Sequence, residues 1–425
     1  MKIVSLKKSR SFKVLLFCML ILSCSRTEKK TAKTKSLHAS EILGNPDYLA
    51  ISYGGYRTKR RDVQPTLKEI KRDLQLLYAL GIRIVRTYNL ELDFAPNVVK
   101  AIKELKKTDP SFEMYVMLGA WINCKNAWTN QPNHLEEDEV NNEKEILRAV
   151  NVANEYPDIV KIIAVGNEAM IDWATSYYVP QKVILKWVNH LQSLKKKGTL
   201  NKEVWITSSD DFVSWGGGNP AYHNKDLIAL MNAVDYISIH TYPFHNTHYN
   251  PSFWEIEKSI IEEISPLEHI EMVMDGAIAF ADKQYQNVKS HMLKQGINKP
   301  IHIGETGWST ISDGFYGPEG SAAADEYKQA LYYHKILAWS KENKVSCFYF
   351  SAFDEIWKDA ANPAGSENHF GLFTVDGRAK FALWKEVDRK TFGNLSRSIQ
   401  EEPLTKTFSG EIKQLELTVK PPKAK

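Results

Sequence analysis

From residue 47 onward the chain alternates short, almost continuously apolar runs with longer segments in which apolar residues recur every three or four positions. The runs fall at 48–53, 82–87, 113–118, 160–165, 203–207, 235–240, 301–304 and 345–350, and they are rich in Val, Ile, Tyr and Phe. Strands buried on both faces of a parallel sheet read this way, because neither face has to meet water. The segments between them carry the helical period. Pro65 stands where a helix would begin, Leu67, Ile70, Leu74 and Leu77 share its inner face, and Gly81 closes it. Val98, Val99, Ile102 and Leu105 mark a second helix. Further helical patterns cover 142–156, 183–194, 227–233, two stretches within 252–296, and 323–342. Eight strands alternating with helices predict an α/β fold, a single (β/α)8 TIM barrel with enlarged loops after its strands. A doubly wound open sheet would alternate in the same way, but no GxGxxG follows the first strand.

The polar and aromatic residues strengthen the barrel reading. Tyr53, Tyr88, Trp121, Asn167, Glu168, Tyr242, Glu305, Phe353 and Glu355 all stand directly after predicted strands. In a barrel those positions converge on one face, where such folds keep their chemistry. The barrel domain is expected over 45–390. The tail, 391–425, has no clear period until Ile412, Leu415, Leu417 and Val419, whose partial alternation suggests one packed strand or a loose end before Pro421 and Pro422.

The first 23 residues are of another kind. Lys2, Lys7, Lys8, Arg10 and Lys13 precede an apolar run at 14–22, too short to span a bilayer and shaped like a secretory signal. Leu20-Ile-Leu-Ser-Cys24 resembles a bacterial lipobox, which implies cleavage before Cys24 and lipidation there. Ser25 in place of an aspartate retention signal leans towards the outer membrane. Residues 24–44 then read as a flexible tether, rich in Lys, Ser and Thr over most of its length. The leader takes five of the 55 basic residues and none of the 51 acidic ones, so the remainder carries a net charge of −1. That balance argues against nucleic-acid binding, and 43% hydrophobic with 25% charged residues excludes wholesale disorder. Of the four cysteines, Cys124 and Cys347 fall at opposite ends of the expected barrel and are predicted to be free thiols. No CxxC or HExxH pattern suggests zinc. The irregularly spaced His240, His245 and His248 suit packing or hydrogen bonding to a sugar better than a metal.

Two carboxylates, after strands four and seven, would face each other across the barrel mouth. Glycosidic cleavage needs such a pair: one acid protonates the leaving oxygen, the other attacks the anomeric carbon. Close pairing also separates their pKa values. Asn167 is placed to donate to a sugar 2-hydroxyl. Trp121, Trp128, Trp215, Trp308 and Trp357 are candidates for stacking on pyranose faces, whereas Trp187, Trp339 and Trp384 lie within helical patterns and are expected to pack. Gly304 and Gly307, flanking Glu305-Thr306, leave room for a sugar ring or neighbouring backbone.

Together these residues resemble glycoside hydrolase family 17, a family of retaining β-1,3-glucanases. The resemblance is carried by Gly166-Asn-Glu168 and Gly304-Glu-Thr-Gly-Trp308, with Tyr53-Gly54, Arg86, Tyr88, Tyr242-Pro243 and Phe353-Asp-Glu355 in order around them, and Asn368-His-Phe-Gly-Leu-Phe373 closing the segment. It covers roughly 45–390. It implies Glu168 as acid/base and Glu305 as nucleophile, with Glu355 and Lys358 assisting and no cofactor or metal. The chain departs from the plant pattern at Ser309 and Ser312, so the loop after strand seven is expected to shape its own subsites. The implied activity is endo-acting hydrolysis of laminarin-type β-1,3-glucan by a lipid-anchored enzyme. A transglycosylase using the same site and a non-catalytic glycan-binding lipoprotein are the alternatives.

Overall fold

The apolar runs pair in parallel and close on themselves in the computed structural model, which describes residues 37–398 and 402–424. The barrel strands are β1 (Leu49–Ser52), β2 (Ile82–Arg86), β3 (Tyr115–Ala120), β4 (Val160–Asn167), β5 (Trp205–Asp211), β6 (Ile237–His240), β7 (Ile301–Gly307) and β8 (Cys347–Phe350). Each pairs with its neighbours in chain order, and β8 returns to β1 through Ala50↔Phe348. This is the expected (β/α)8 barrel. Alternate residues face two different cores, as the period of a strand demands. Ile51, Val85 and Val116 pack outward under the helices. Ala50, Ile84, Met117, Ile162 and Phe348 point inward and fill the lower barrel.

The helices follow their local signals. Leu67–Ala79 opens with a capping box in which Thr66 Oγ1 accepts from Glu69 N–H at 3.3 Å while Glu69 Oε2 accepts from Thr66 N–H at 2.8 Å. The two helices expected within 252–296 are present, as a single helical turn, Lys258–Ile261, and a 29-residue helix, Pro266–Lys294, started by the Ser265–Glu268 box.

Several expectations are corrected. The strands carrying Asn167, Asp211 and Glu305 run two to four residues past their predicted ends. The loop after β3 contains a small hairpin, Cys124–Lys125 against Asn133–Glu137. Residues 37–44 are not loose tether: the turn Ala39–Ile42 buries Ala39, Ile42 and Leu43 in the lower barrel core. Among its described residues the tail forms no ninth barrel strand. A closed barrel leaves no free edge to accept one, and the chain instead makes a short helix, Ile412–Glu416, that buries Leu415. Upstream, Arg397 enters the core to pair with Asp73 at 3.1 Å. Cys124 and Cys347 are free and buried. No helix among the described residues is long and apolar enough to cross a membrane. The predicted leader, Cys24 and residues 24–36 of the tether lie outside the described residues.

Candidate active site

The upper barrel is polar, and many of its buried groups hydrogen-bond to one another. Ser209 Oγ meets Ser238 Oγ at 3.0 Å and His240 Nε2 at 2.8 Å. Gly304 makes this possible: a Cβ there would lie 2.1 Å from Ser238 Oγ and 2.3 Å from Ser209 Oγ. Gly304 therefore admits the neighbouring strands rather than a sugar ring, and a Cβ on Gly307 would likewise lie 2.0 Å from Phe350 O. On this floor stand the two acids. Glu305 projects from β7 with 6% of its surface exposed. Glu168 follows β4 in a left-handed conformation, φ 46°, an uncommon state for a residue with a side chain, and its N–H donates to Ser209 O at 3.0 Å.

Glu305 is held at both oxygens. Tyr242 Oη donates to Oε1 at 2.6 Å, while Tyr88 Oη and Arg86 Nη1 donate to Oε2 at 2.9 and 2.8 Å. Arg86 also donates to Gly304 O at 2.6 Å and to Asn167 Oδ1 at 2.5 Å. An arginine can only donate, so the amide oxygen of Asn167 is spoken for and its NH₂ is left for the groove. The same logic fixes His240. Its Nε2 faces Arg86 at 3.2 Å and therefore presents a lone pair, so the ring proton sits on Nδ1 and is donated to Glu168 Oε1 at 2.9 Å. A proton on Glu168 then resides on Oε2.

The environments of the two carboxyls pull them apart. Burial first, and the charge of Glu305 second, push Glu168 up to about 8 against the opposing pull of Lys358 and Arg86. Burial alone would also raise Glu305, but the charges of His240 where it is protonated, of Arg86 and of Lys358, with the Tyr242 hydrogen bond, hold it below the usual carboxylate range. His240 is itself pushed down to about 4 by burial, against Glu305 and with Arg86. It is neutral above that pH, so Arg86 and Lys358 supply the charge that keeps Glu305 ionised. The nearest ligand atoms of Glu168, His240 and Glu305 lie within 4.8 Å of one another. The cation among them is the Arg86 guanidinium, and the His240 lone pair is turned to it. His245 and His248 go elsewhere, to Tyr316 Oη at 3.1 Å and onto the Phe315 ring at 4.1 Å.

A groove of about 580 Å³ opens above the acids, lined by Asn167, Tyr53, Tyr88, Trp121, Trp357 and Lys358 among others. Glu355 also reaches it, pushed up to about 7 by burial against Lys358. Gly54 leaves space for that carboxyl, since a Cβ would stand 1.6 Å from Glu355 Oε1. Four expected sugar contacts are corrected. Arg86 and Tyr242 serve Glu305 instead of lining the groove. Trp308 is fully buried against Tyr332 and Trp254, with its indole N–H on Ala323 O. Phe353 is buried between the Phe373 ring and the Arg397 guanidinium. Trp215, another stacking candidate, is also core. The groove adds Tyr56, Arg61, Asn123 and Tyr177, which no strand-end pattern marked. A smaller cavity at the opposite end of the barrel, lined by Gly44, Tyr48 and Cys347 among others, has no acidic residue.

Comparison with known proteins agrees with this geometry. A crystal structure of an endo-laminarinase from Formosa Hel1_33_131 is 58% identical, with a TM-score of 0.90, over 92% of this chain and 98% of that one. The glucan 1,3-beta-glucosidase of Arthroderma benhamiae is 27% identical over 285 residues, 65% of this chain and 73% of that protein. Glucan endo-1,3-beta-glucosidase 5 of Arabidopsis thaliana is 24% identical over 250 residues, 53% of this chain, which spans about half (48%) of the plant protein. The model of the BtgE/BtgC glycoside hydrolase domain matches residues 50–371, from β1 to beyond β8. The likeness first read from the strand-end motifs thus runs through the whole barrel, and the chain belongs to the BtgE/BtgC glycoside hydrolase domain family.

Proposed function

We propose that this protein is an endo-acting β-1,3-glucanase that cleaves laminarin-type glucan with retention at the anomeric carbon. The observation that carries the mechanism is the acid pair, one carboxyl held protonated and one ionised, with oxygens within 4.8 Å. Retaining enzymes hold their carboxyls about 5–5.5 Å apart, inverting ones farther to admit a water. The names of the laminarinase and glucosidase relatives support the substrate class. In the first step the Glu168 Oε2 proton passes to the glycosidic oxygen as that oxygen leaves, and a Glu305 oxygen bonds to the anomeric carbon. The Asn167 NH₂ steadies the 2-hydroxyl. In the second step the Glu168 carboxylate takes a proton from water, the water oxygen bonds to the anomeric carbon, and the Glu305 ester is released. His240, donating to Oε1 throughout, keeps the working proton on Oε2.

Digestion of laminarin followed by product size and by proton NMR of the first-formed anomer tests this. Oligosaccharides of intermediate length with the β-anomer first are expected; an initial α-anomer would overturn retention, and glucose as the sole early product would overturn endo action. Products longer than a supplied oligosaccharide would instead indicate that a sugar hydroxyl replaces water in the second step. We also propose lipid anchoring at Cys24, supported by the basic and apolar leader ahead of it. Cys24→Ala is expected to move the protein out of the membrane fraction, and an unchanged distribution would refute the anchor.

A further inference from the structure

On the loops after β3 and β4 the groove is lined by three aromatic rings that the mechanism does not use. Trp121 and Tyr177 lie 4.9 Å apart, and Tyr177 stacks under Trp128 at 5.0 Å with the planes 22° apart. Trp128 is 62% exposed and its backbone is left-handed, φ 63°. For a bulky residue that conformation is an outlier that persists only where the surroundings impose it. They do so here. Asn123 Oδ1 accepts both indole N–H groups, from Trp121 at 2.8 Å and from Trp128 at 3.2 Å. Asn123 is in turn clamped by buried Asn142, which accepts from its N–H at 2.9 Å and donates to its C=O at 3.0 Å. Trp128 N–H donates to Ser176 O at 2.9 Å, tying the two loops together.

An idle surface tryptophan would relax its backbone and lay its ring down. This one is held on the Tyr177 ring, largely exposed to water, and lines the groove that holds Glu168 and Glu305. We infer that Trp128, Trp121 and Tyr177 form a glucosyl subsite, set in place by Asn123, that stacks on a sugar ring of the glucan beyond the one held by the acids. The inference rests on the β-1,3-glucanase reading above. Such a shelf contributes only when the chain is long enough to reach it, so it discriminates by substrate length.

The test compares kcat/KM on laminarihexaose and laminaritriose for the wild type, Trp128→Ala, Trp128→Phe and Asn123→Ala. The hexaose-to-triose ratio is expected to fall about tenfold in Trp128→Ala, the loss that follows from removing a stacked aromatic anchor. Trp128→Phe, which keeps a flat face, should restore most of the ratio. Asn123→Ala, which keeps both rings but frees them, should lower it by a smaller factor. An unchanged ratio in Trp128→Ala, or equal losses on both lengths, would overturn the subsite while leaving the glucanase reading intact. Absence of turnover by the wild type on either oligosaccharide would remove the reading and the subsite with it.

Discussion

Replacing Glu305 with alanine is expected to lower kcat on laminarin by roughly 10⁴-fold or more, with glucan binding retained. The size follows from the role: without a carboxylate under the anomeric carbon no glycosyl ester forms, and the groove residues that hold the polymer are untouched. The substitution also strips Arg86, Tyr88 and Tyr242 of their shared acceptor. Leaving a buried cation unpaired destabilises a fold by about 3–5 kcal/mol, so an inactive variant could simply be an unfolded one. Azide separates the two cases. It fits the space the carboxylate vacates, and by attacking from that face it should yield an α-glycosyl azide from an activated β-glycoside. The corresponding Glu168→Ala variant forms the ester but cannot activate water, so azide should there give the β-azide. Normal laminarin turnover by Glu305→Ala, or a β-azide from it, would remove Glu305 as nucleophile.

The pairing of those two acids is legible in the sequence because both stand at the ends of apolar runs that a barrel brings together, whereas which one acts as acid and which as nucleophile is implied only by the family resemblance. The ends themselves were harder to place. β5 continues through Ser208, Ser209 and Asp210, and β7 through Glu305 and Thr306. A polar residue at the end of an apolar run reads as loop, yet in the upper barrel these groups are buried and all but Ser208 find hydrogen-bond partners, as Ser209 does across strands with Ser238 and His240. Their hydrogen bonds offset the burial that periodicity says they should avoid. Trp308 failed for a related reason. Residue type marks it as a sugar platform, but its direction of projection is decided by parity along β7 and by Trp254, Phe244 and Tyr332, which converge from three separate segments. Asn123 and Arg397 carry no local signal at all. The first matters because two indoles reach it, the second because Asp73, 324 positions earlier, lies beneath it.

Arg86 is where a small change should have the next largest effect. Activity needs one proton on the acid pair, on Glu168, with Glu305 ionised, so kcat/KM should fall on the acid side as Glu305 gains a proton and on the alkaline side as Glu168 loses its own near pH 8. Arg86 lowers Glu305 from 2.8 Å, and with His240 neutral its charge is the one in direct contact with that carboxylate. In Arg86→Met the Glu305 pKa must rise. The acid limb of the profile should therefore move to higher pH, and kcat/KM at neutral pH should fall on the order of 10²-fold, as when one partner of a buried charge pair is truncated. Arg86→Lys separates charge from geometry. An ammonium keeps the field on Glu305, so its acid limb should move less, but one nitrogen cannot also hold Gly304 O and Asn167 Oδ1. Without that second anchor the Asn167 amide is free to turn, and the lysine variant should lose kcat while keeping most of its pH profile. An acid limb that stays fixed in Arg86→Met would mean that the barrel floor, and not this guanidinium, keeps the nucleophile ionised.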